Sequence, residues 1–354
     1  MCSQDVFQKH SYKYKMSTID WKNLSFGYLP TNANVRCYYK DGKWSKPELN
    51  NSEYINMHMA ATCLHYGQEA FEGLKAYMGK DGKIRLFRVQ ENAKRMIESA
   101  RYIQMAPPTE EMFVESVKMA IEANKEFVPP YESGATLYVR PLLIGTSAQV
   151  GVKPSADYMF MVFVTPVGPY FKEGFKPVNV IIDRDHDRAA PLGTGHIKVG
   201  GNYAASLISL DLCHKQGYST VLYLDAAEKK YIDECGPANF FAIKGKSYIT
   251  PKSHSILPSI TNMSLMELAK DMGLTVECRK VPVEELSTFV EAGACGTAAV
   301  ISPIGKIVDP NQNHVYEYSK DGNAGAISTQ LYNRLKAIQY GDEADKFGWI
   351  TIVR

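Results

Sequence analysis

The pattern of apolar and polar positions is clearest at 137–144 and 158–164, where consecutive residues are apolar and both faces of an extended chain would need shelter from water. Both read as buried strands. Ahead of them, Ala93, Met96, Ile97, Ala100 and Ile103 recur at helical spacing and predict a helix over 92–105. A second helix is expected over 109–127, opened by Thr109 with Glu110 and Glu111 in its first turn. Two glycines and two prolines between Gly168 and Pro177 interrupt both kinds of structure. The expected organisation is a smaller α/β unit over 1–168, a connecting segment over 169–185 and a larger unit over 186–354.

In the second half, 178–183 reads as a strand, and 203–215 as a helix capped by Asn202 and stopped by Gly217. A hairpin is expected from 219–225 and 230–234, then a strand near 240–243. Leu265, Leu268, Ala269 and Met272 form an apolar stripe that predicts a helix over 263–272, ended by Gly273. Further helices are expected near 284–292 and over 326–340, the last with Ile327, Leu331, Leu335 and Ile338 on one face. Strands and helices do not alternate regularly, so the fold class is mixed α/β (α+β), not a doubly wound parallel sheet.

Composition narrows the function. The 354 residues are 45% hydrophobic and 22% charged with net charge +2, which is ordinary globular composition and enough chain for about two domains. With no cluster of lysines and arginines, a nucleic acid or an anionic membrane is not expected as partner. The seven cysteines are scattered, with no Cys-x-x-Cys pair, and read as free thiols in a reducing compartment; no metal centre is expected. The first twenty residues lack the apolar core of a secretion signal, and the longest apolar run, 158–164, is too short to span a bilayer. A cytoplasmic location is expected.

Residues 183–202 hold Pro191, Gly193, Gly195, Gly200 and Gly201 without a regular pattern. Unstructured loops longer than about 12–15 residues are uncommon inside a domain and are usually functional or disordered. Lys198 is the only lysine in this loop; its glycine neighbours would admit a bulky aldehyde, to which a sheltered amine can add as a Schiff-base nucleophile. On the 230–234 strand, alternation puts Ile232 and Glu234 on one face and Tyr231 and Asp233 on the other. The partner strand is apolar on both faces, so an acid here risks burial and needs a cation, for which a protonated pyridine ring would serve. Alternation does not choose between Glu234 and Asp233. Amides of 257–262, just before the expected helix, form a natural anion site, as do the small residues 296–299 after a turn expected around Gly293. Arg95 lies on the polar flank of the 92–105 helix.

Taken together, Lys198-Val-Gly-Gly-Asn-Tyr203, Glu234-Cys-Gly-Pro-Ala-Asn239-Phe240, Ser255-Ile-Leu-Pro258-Ser-Ile-Thr261 and Gly296-Thr-Ala298 resemble the branched-chain amino-acid aminotransferases of the fold-type IV pyridoxal-phosphate enzymes. His65-Tyr66, Ala70-Phe71-Glu72-Gly73-Leu-Lys75-Ala, Arg85-Leu-Phe-Arg88 and Leu137-Tyr-Val-Arg140-Pro141 resemble the same family in the same order, from Phe26 nearly to the end of the chain. The resemblance implies a two-domain fold whose larger carboxy-terminal domain is a pseudo-barrel that binds pyridoxal 5'-phosphate. It also implies that Lys198 is the catalytic residue, carrying the cofactor as a Schiff base and shuttling a proton, with Glu234 on the pyridine nitrogen and Tyr203 on the ring hydroxyl. Arg95, Leu257, Ile260, Thr261 and Thr297 would hold the phosphate side, and Arg188 would lie close to the cofactor. Tyr66, Thr297 and Ala298 would hold the substrate α-carboxylate, and Phe26, Phe71, Tyr138 and Tyr170 would wall a pocket for leucine, isoleucine or valine. Arg140 would meet the side-chain carboxylate of glutamate, so that 2-oxoglutarate completes a ping-pong exchange. The loop 145–152 resembles one that reaches into a neighbouring subunit, which implies a homodimer. Two positions depart from the family: Ala299 and Ser302 stand where vertebrate members carry a Cys-x-x-Cys pair, and Pro237 stands where they carry a threonine.

Other readings are weaker. Gly193-Thr-Gly195-His-Ile-Lys198 begins like a dinucleotide-binding turn but has lysine where the third glycine belongs. A D-amino-acid aminotransferase or an aminodeoxychorismate lyase would share Lys198 and Glu234; Arg140 and the Tyr66–Phe71 segment resemble the branched-chain enzymes.

Overall fold

The computed structural model describes residues 19–168 and 175–353; Tyr170 lies outside them. The expected strands at 137–144 and 158–164 form the longest pairing, Thr136–Gly145 against Tyr158–Val167, antiparallel from Thr136 opposite Val167 to Gly145 opposite Tyr158. Around this pair the first sheet runs Ile350–Ile352, Ile84–Phe87, Leu74–Met78, Thr136–Gly145, Tyr158–Val167, Asn34–Lys40 and Lys43–Trp44. Two short strands join it at the side, Glu48–Asn50 and Glu69–Phe71. Helices Val89–Tyr102 and Glu110–Glu122 share a core with this sheet, where the Phe113 and Phe160 rings stack at 5.8 Å and both are fully buried. Each such ring contributes about 1.5–3 kcal/mol by leaving water.

The helix expected over 92–105 begins and ends three residues earlier, because Arg88 (φ 50°) turns the chain sharply out of the preceding strand and Gln104 (φ 57°) closes it. The helix expected over 109–127 is capped by the Thr109 hydroxyl, which accepts from the Met112 amide at 3.2 Å, but stops at Glu122. Asn124 ends it by turning its side chain to Asn32 and Ala33, and 125–127 forms a single 3-10 turn.

The second sheet closes on itself. Its strands run Ile232–Cys235, Thr220–Leu224, Val178–Asp183, Val300–Asp309, Glu291–Gly296 and Ala238–Lys244, and the last pairs back to the first. Ser247–Pro251 and Thr275–Arg279 extend it on one side. This is the barrel-like mixed α/β architecture expected from the sequence. The hairpin is present, with Leu224 opposite Ile232, and the final helix spans Ala326–Tyr340 as its stripe predicted.

Four expectations are corrected. The 203–215 helix is two helices, Gly200–Ala205 and Leu207–Lys215, and Asn202 is not their cap. Its buried side chain instead donates to the Thr194 and Ile197 carbonyls at 2.7 and 3.0 Å. The 263–272 helix starts at Ile260, because the Ser259 hydroxyl caps it by accepting from the Asn262 amide at 3.2 Å. No α-helix occupies 284–292: a 3-10 helix, Val283–Thr288, covers only the first part and leads into the strand Glu291–Gly296, where pairing on both sides overrides a weak helical pattern. The turn expected around Gly293 therefore falls at 297–299.

The last strand, Ile350–Ile352, returns to the first sheet, and Trp349 packs edge-on against Phe87 at 5.5 Å. A shared core of Tyr77, Phe87, Phe241, Leu265, Leu331 and Leu335 joins the two sheets and fixes the cleft between them. The six cysteines among the described residues form no disulfide. Among those residues no helix is long and apolar enough to cross a membrane.

Candidate active site

The glycine-rich loop touches both halves of the molecule, Lys198 meeting Ser99 and Phe71 of the first and Arg188 meeting Ser255 of the second. Lys198 is pinned through its backbone: its amide donates to the Ser99 hydroxyl at 3.0 Å, and its carbonyl accepts from the Phe71 amide at 3.1 Å. The side chain is therefore aimed by contacts that do not involve it. Its Nζ donates to the Tyr203 hydroxyl at 2.8 Å and lies 4.8 Å from the centre of the Phe71 ring. Gly195 lets the loop pass under Ser255: a Cβ there would overlap the Ser255 carbonyl, which also accepts from Arg188 Nη2. Gly195→Ala should thus cost about 1–3 kcal/mol of stability, seen as a lowered melting temperature.

Glu234 is a buried acid. It is 3% exposed, accepts from the Leu257 amide, and pairs with Arg188 Nη2 at 3.1 Å. Burial pushes its carboxyl up to about 7, against the pull of Arg188, the Leu257 amide and Lys198. Asp233, on the opposite face, is occupied by the Ser253 and Ser255 hydroxyls at 2.8 and 2.6 Å. The two acids that alternation leaves equivalent thus have different partners: Arg188 and the Leu257 amide for Glu234, two serine hydroxyls for Asp233.

Arg95 is not solvated as a polar-flank position would be. Its guanidinium pairs with the buried Glu72 carboxylate, Nε to Oε1 at 2.7 Å and Nη2 to Oε2 at 2.9 Å, and Nη1 donates to the Pro258 carbonyl at 2.8 Å. Asn92 also donates to Glu72, at 2.7 Å. Arg95 thereby tethers the turn before the Ile260–Asp271 helix, whose first residues Ile260 and Thr261 line one cleft with Thr297. Lys75 also lines this cleft; its Nζ donates to the Ala298 carbonyl at 2.6 Å. Burial and the charge of Lys336 push its amine down to about 7.

The remaining wall is aromatic. Phe26 meets Tyr138 edge-on at 5.3 Å, and Phe71 meets Tyr203 at 5.0 Å. Arg140 donates to the Tyr138 hydroxyl at 3.0 Å and lies 4.8 Å from the Phe71 ring centre. Lys198, Tyr203, Phe71, Arg140, Tyr138 and Phe26 thus form one connected surface. Tyr66 does not join it. Its half-exposed side chain donates to the Val150 carbonyl in the 145–152 loop, and among the described residues no hydrogen bond or ring contact links it to Lys198, Thr297 or Ala298. Sequence reasoning gave no role to Glu72 or Glu69; they flank Ala70 and Phe71, and their partners are 23 and 131 positions away.

The class IV aminotransferase family model matches residues 69–307. Branched-chain-amino-acid aminotransferases of Haemophilus influenzae and Helicobacter pylori are each 46% identical to the chain, covering 96% and 95% of it and 100% and 98% of their own length. The crystal structure of the Escherichia coli branched-chain amino acid aminotransferase superposes with a TM-score of 0.78 at 25% identity, covering 92% of this chain and 100% of that one. A lysine held beside a tyrosine hydroxyl, a buried acid paired with arginine and an aromatic wall edged by a second arginine accord with these likenesses, and the chain belongs to the class IV aminotransferases, as a branched-chain-amino-acid aminotransferase.

Proposed function

We propose that the chain exchanges amino groups between the branched-chain L-amino acids leucine, isoleucine and valine and 2-oxoglutarate, using pyridoxal 5'-phosphate on Lys198 in a ping-pong cycle. The family depends on that cofactor, and the residues present suit it: Arg188 Nε is buried without a partner beside the buried Glu234 carboxyl, the Lys198 amine meets the Tyr203 hydroxyl, and Thr261 and Thr297 line one cleft. When bound, the cofactor supplies an electron sink for the bond broken at the substrate Cα.

The chain's own residues account for the rest. The Lys198 amine would hold the aldehyde and, once displaced by an incoming amine, carry a proton from the substrate Cα. The Tyr203 hydroxyl orients that amine. Glu234, as carboxylate, would keep the ring nitrogen protonated, with Arg188 holding Glu234 in place. Amides of Ile260 and Thr261 at a helix amino terminus, the Thr297 hydroxyl and Arg95 would receive the phosphate. Leu257 serves through the amide it gives to Glu234. Phe26, Phe71, Tyr138 and, from outside the described residues, Tyr170 would exclude water from the substrate side chain, and the Thr297 and Ala298 amides would take its carboxylate.

Tyr66 lying with the 145–152 loop supports a homodimer in which this pair serves the neighbouring site. A unit boundary within 169–185 and a cytoplasmic location belong to the same reading.

The observation that carries the function is the joining of Lys198 to Arg140 through Phe71, which sets an apolar wall and a carboxylate-binding charge around one amine. Steady-state assays with L-leucine and 2-oxoglutarate test it against D-alanine and aminodeoxychorismate; activity with only the last two rejects it. Arg140→Met should raise the KM for 2-oxoglutarate about 10- to 100-fold, the loss of a charge-assisted hydrogen bond, while the KM for leucine changes far less.

A further inference from the structure

Two cations lie over one ring in the substrate pocket: Lys198 Nζ and the Arg140 guanidinium are each 4.8 Å from the Phe71 centre. Arg140 makes no ion pair among the described residues, and its Nε is buried without a hydrogen-bond partner. An uncompensated cation is a poor neighbour for a leucine side chain and a good one for a carboxylate. The pocket must nevertheless admit both.

The acid placed to balance that charge is Glu69. It stands two residues before Phe71 on the strand Glu69–Phe71, so the two side chains share a face. Its carboxylate accepts from the Gly200 amide, two residues beyond Lys198, and a Cβ at Gly200 would overlap Glu69 Oε1. The half-buried group is thus fixed between the Lys198 loop and the pocket wall. Desolvation pushes its carboxyl above the usual range, while the Gly200 amide and the Arg140 charge pull it back.

We propose that Glu69 is a specificity-determining residue, its carboxylate balancing Arg140 while an apolar side chain is bound and yielding that charge to the carboxylate of an acidic one. This rests on the reading of Arg140 as the contact for the distal carboxylate. Specificity here is a difference of two affinities. Removing the balancing charge favours the acidic substrate and penalises the apolar one.

The test is Glu69→Gln in the holoenzyme, which keeps an oxygen for the Gly200 amide while losing the charge, with Glu69→Asp as the charge-retaining control. Binding of glutarate and of 4-methylpentanoate is measured by calorimetry, alongside the KM values for 2-oxoglutarate and leucine. In Glu69→Gln the affinity ratio of glutarate to 4-methylpentanoate should rise about tenfold, as for charges several ångströms apart in a half-buried site. Glu69→Asp should stay closer to wild type, and in an Arg140→Met background the effect of Glu69→Gln should vanish. A ratio unchanged in Glu69→Gln, or a shift that persists without Arg140, overturns the proposal. If Arg140→Met alone leaves glutarate binding intact, the reading of Arg140 falls and this proposal with it; if it weakens glutarate while Glu69→Gln does nothing, only the proposal falls.

Discussion

Lys198→Ala should lose transamination by at least about 10³-fold, the combined loss of a covalent nucleophile and a positioned proton carrier. The fold should survive. The Lys198 backbone keeps its contacts to Ser99 and Phe71 whatever its side chain, and the only hydrogen bond its amine makes among the described residues is to Tyr203. The melting temperature of the variant should therefore stay near that of the wild type while single-turnover rates collapse. A small exogenous amine such as methylamine should restore part of the rate, since the alanine leaves room for it in the pocket. A variant that keeps most of its activity would show that the proton moves through another group.

The second large effect is at Glu234. Glu234→Gln keeps an acceptor for the Leu257 amide but cannot carry the negative charge that holds a pyridine nitrogen protonated, and kcat should drop about 10²- to 10³-fold, the scale for removing one preorganised electrostatic contact. The same residue gives a pH signature in the cofactor-free protein. Its carboxyl is raised from 4.5 to about 7 in the folded state, so between those values the folded chain binds more protons than the unfolded one. Stability from this group is present below about pH 4.5 and is lost as pH rises through 7, by up to ~3 kcal/mol. Urea unfolding of the cofactor-free protein at pH 5 and pH 8 measures it, and Glu234→Gln should flatten that part of the profile. A cation bound beside Glu234 favours its charged form, so loading the cofactor should flatten it as well.

How much was readable without coordinates depended on whether a residue's partners were local. Thr136–Gly145 and Tyr158–Val167 are apolar on both faces and announce themselves, as does the stripe of the Ala326–Tyr340 helix. The strand Glu291–Gly296 does not, because Ala292, Gly293 and Ala294 have little strand preference and are placed by neighbours on both sides. Asn202 looked like a helix cap because its residue type suits one, yet its side chain ties the loop to itself at Thr194 and Ile197. In the site, the loop length and its single lysine pointed to Lys198 from the residues alone. Glu234 could be named over Asp233 only by resemblance, since the groups that separate them, Arg188 and Leu257 on one side and Ser253 and Ser255 on the other, are brought in by the barrel. Arg95 was hidden for the same reason: its Glu72 partner sits on another element, and no spacing within the helix could reveal it.

The central claim is that one amine, on Lys198, carries the cofactor. Borohydride reduction of the purified holoenzyme followed by peptide mass spectrometry measures this directly. The account predicts a pyridoxyl group on the peptide containing Lys198 and on no other lysine; a pyridoxyl group on Lys75 or any other residue, or protein that takes up none when the aldehyde is supplied in excess, would contradict it.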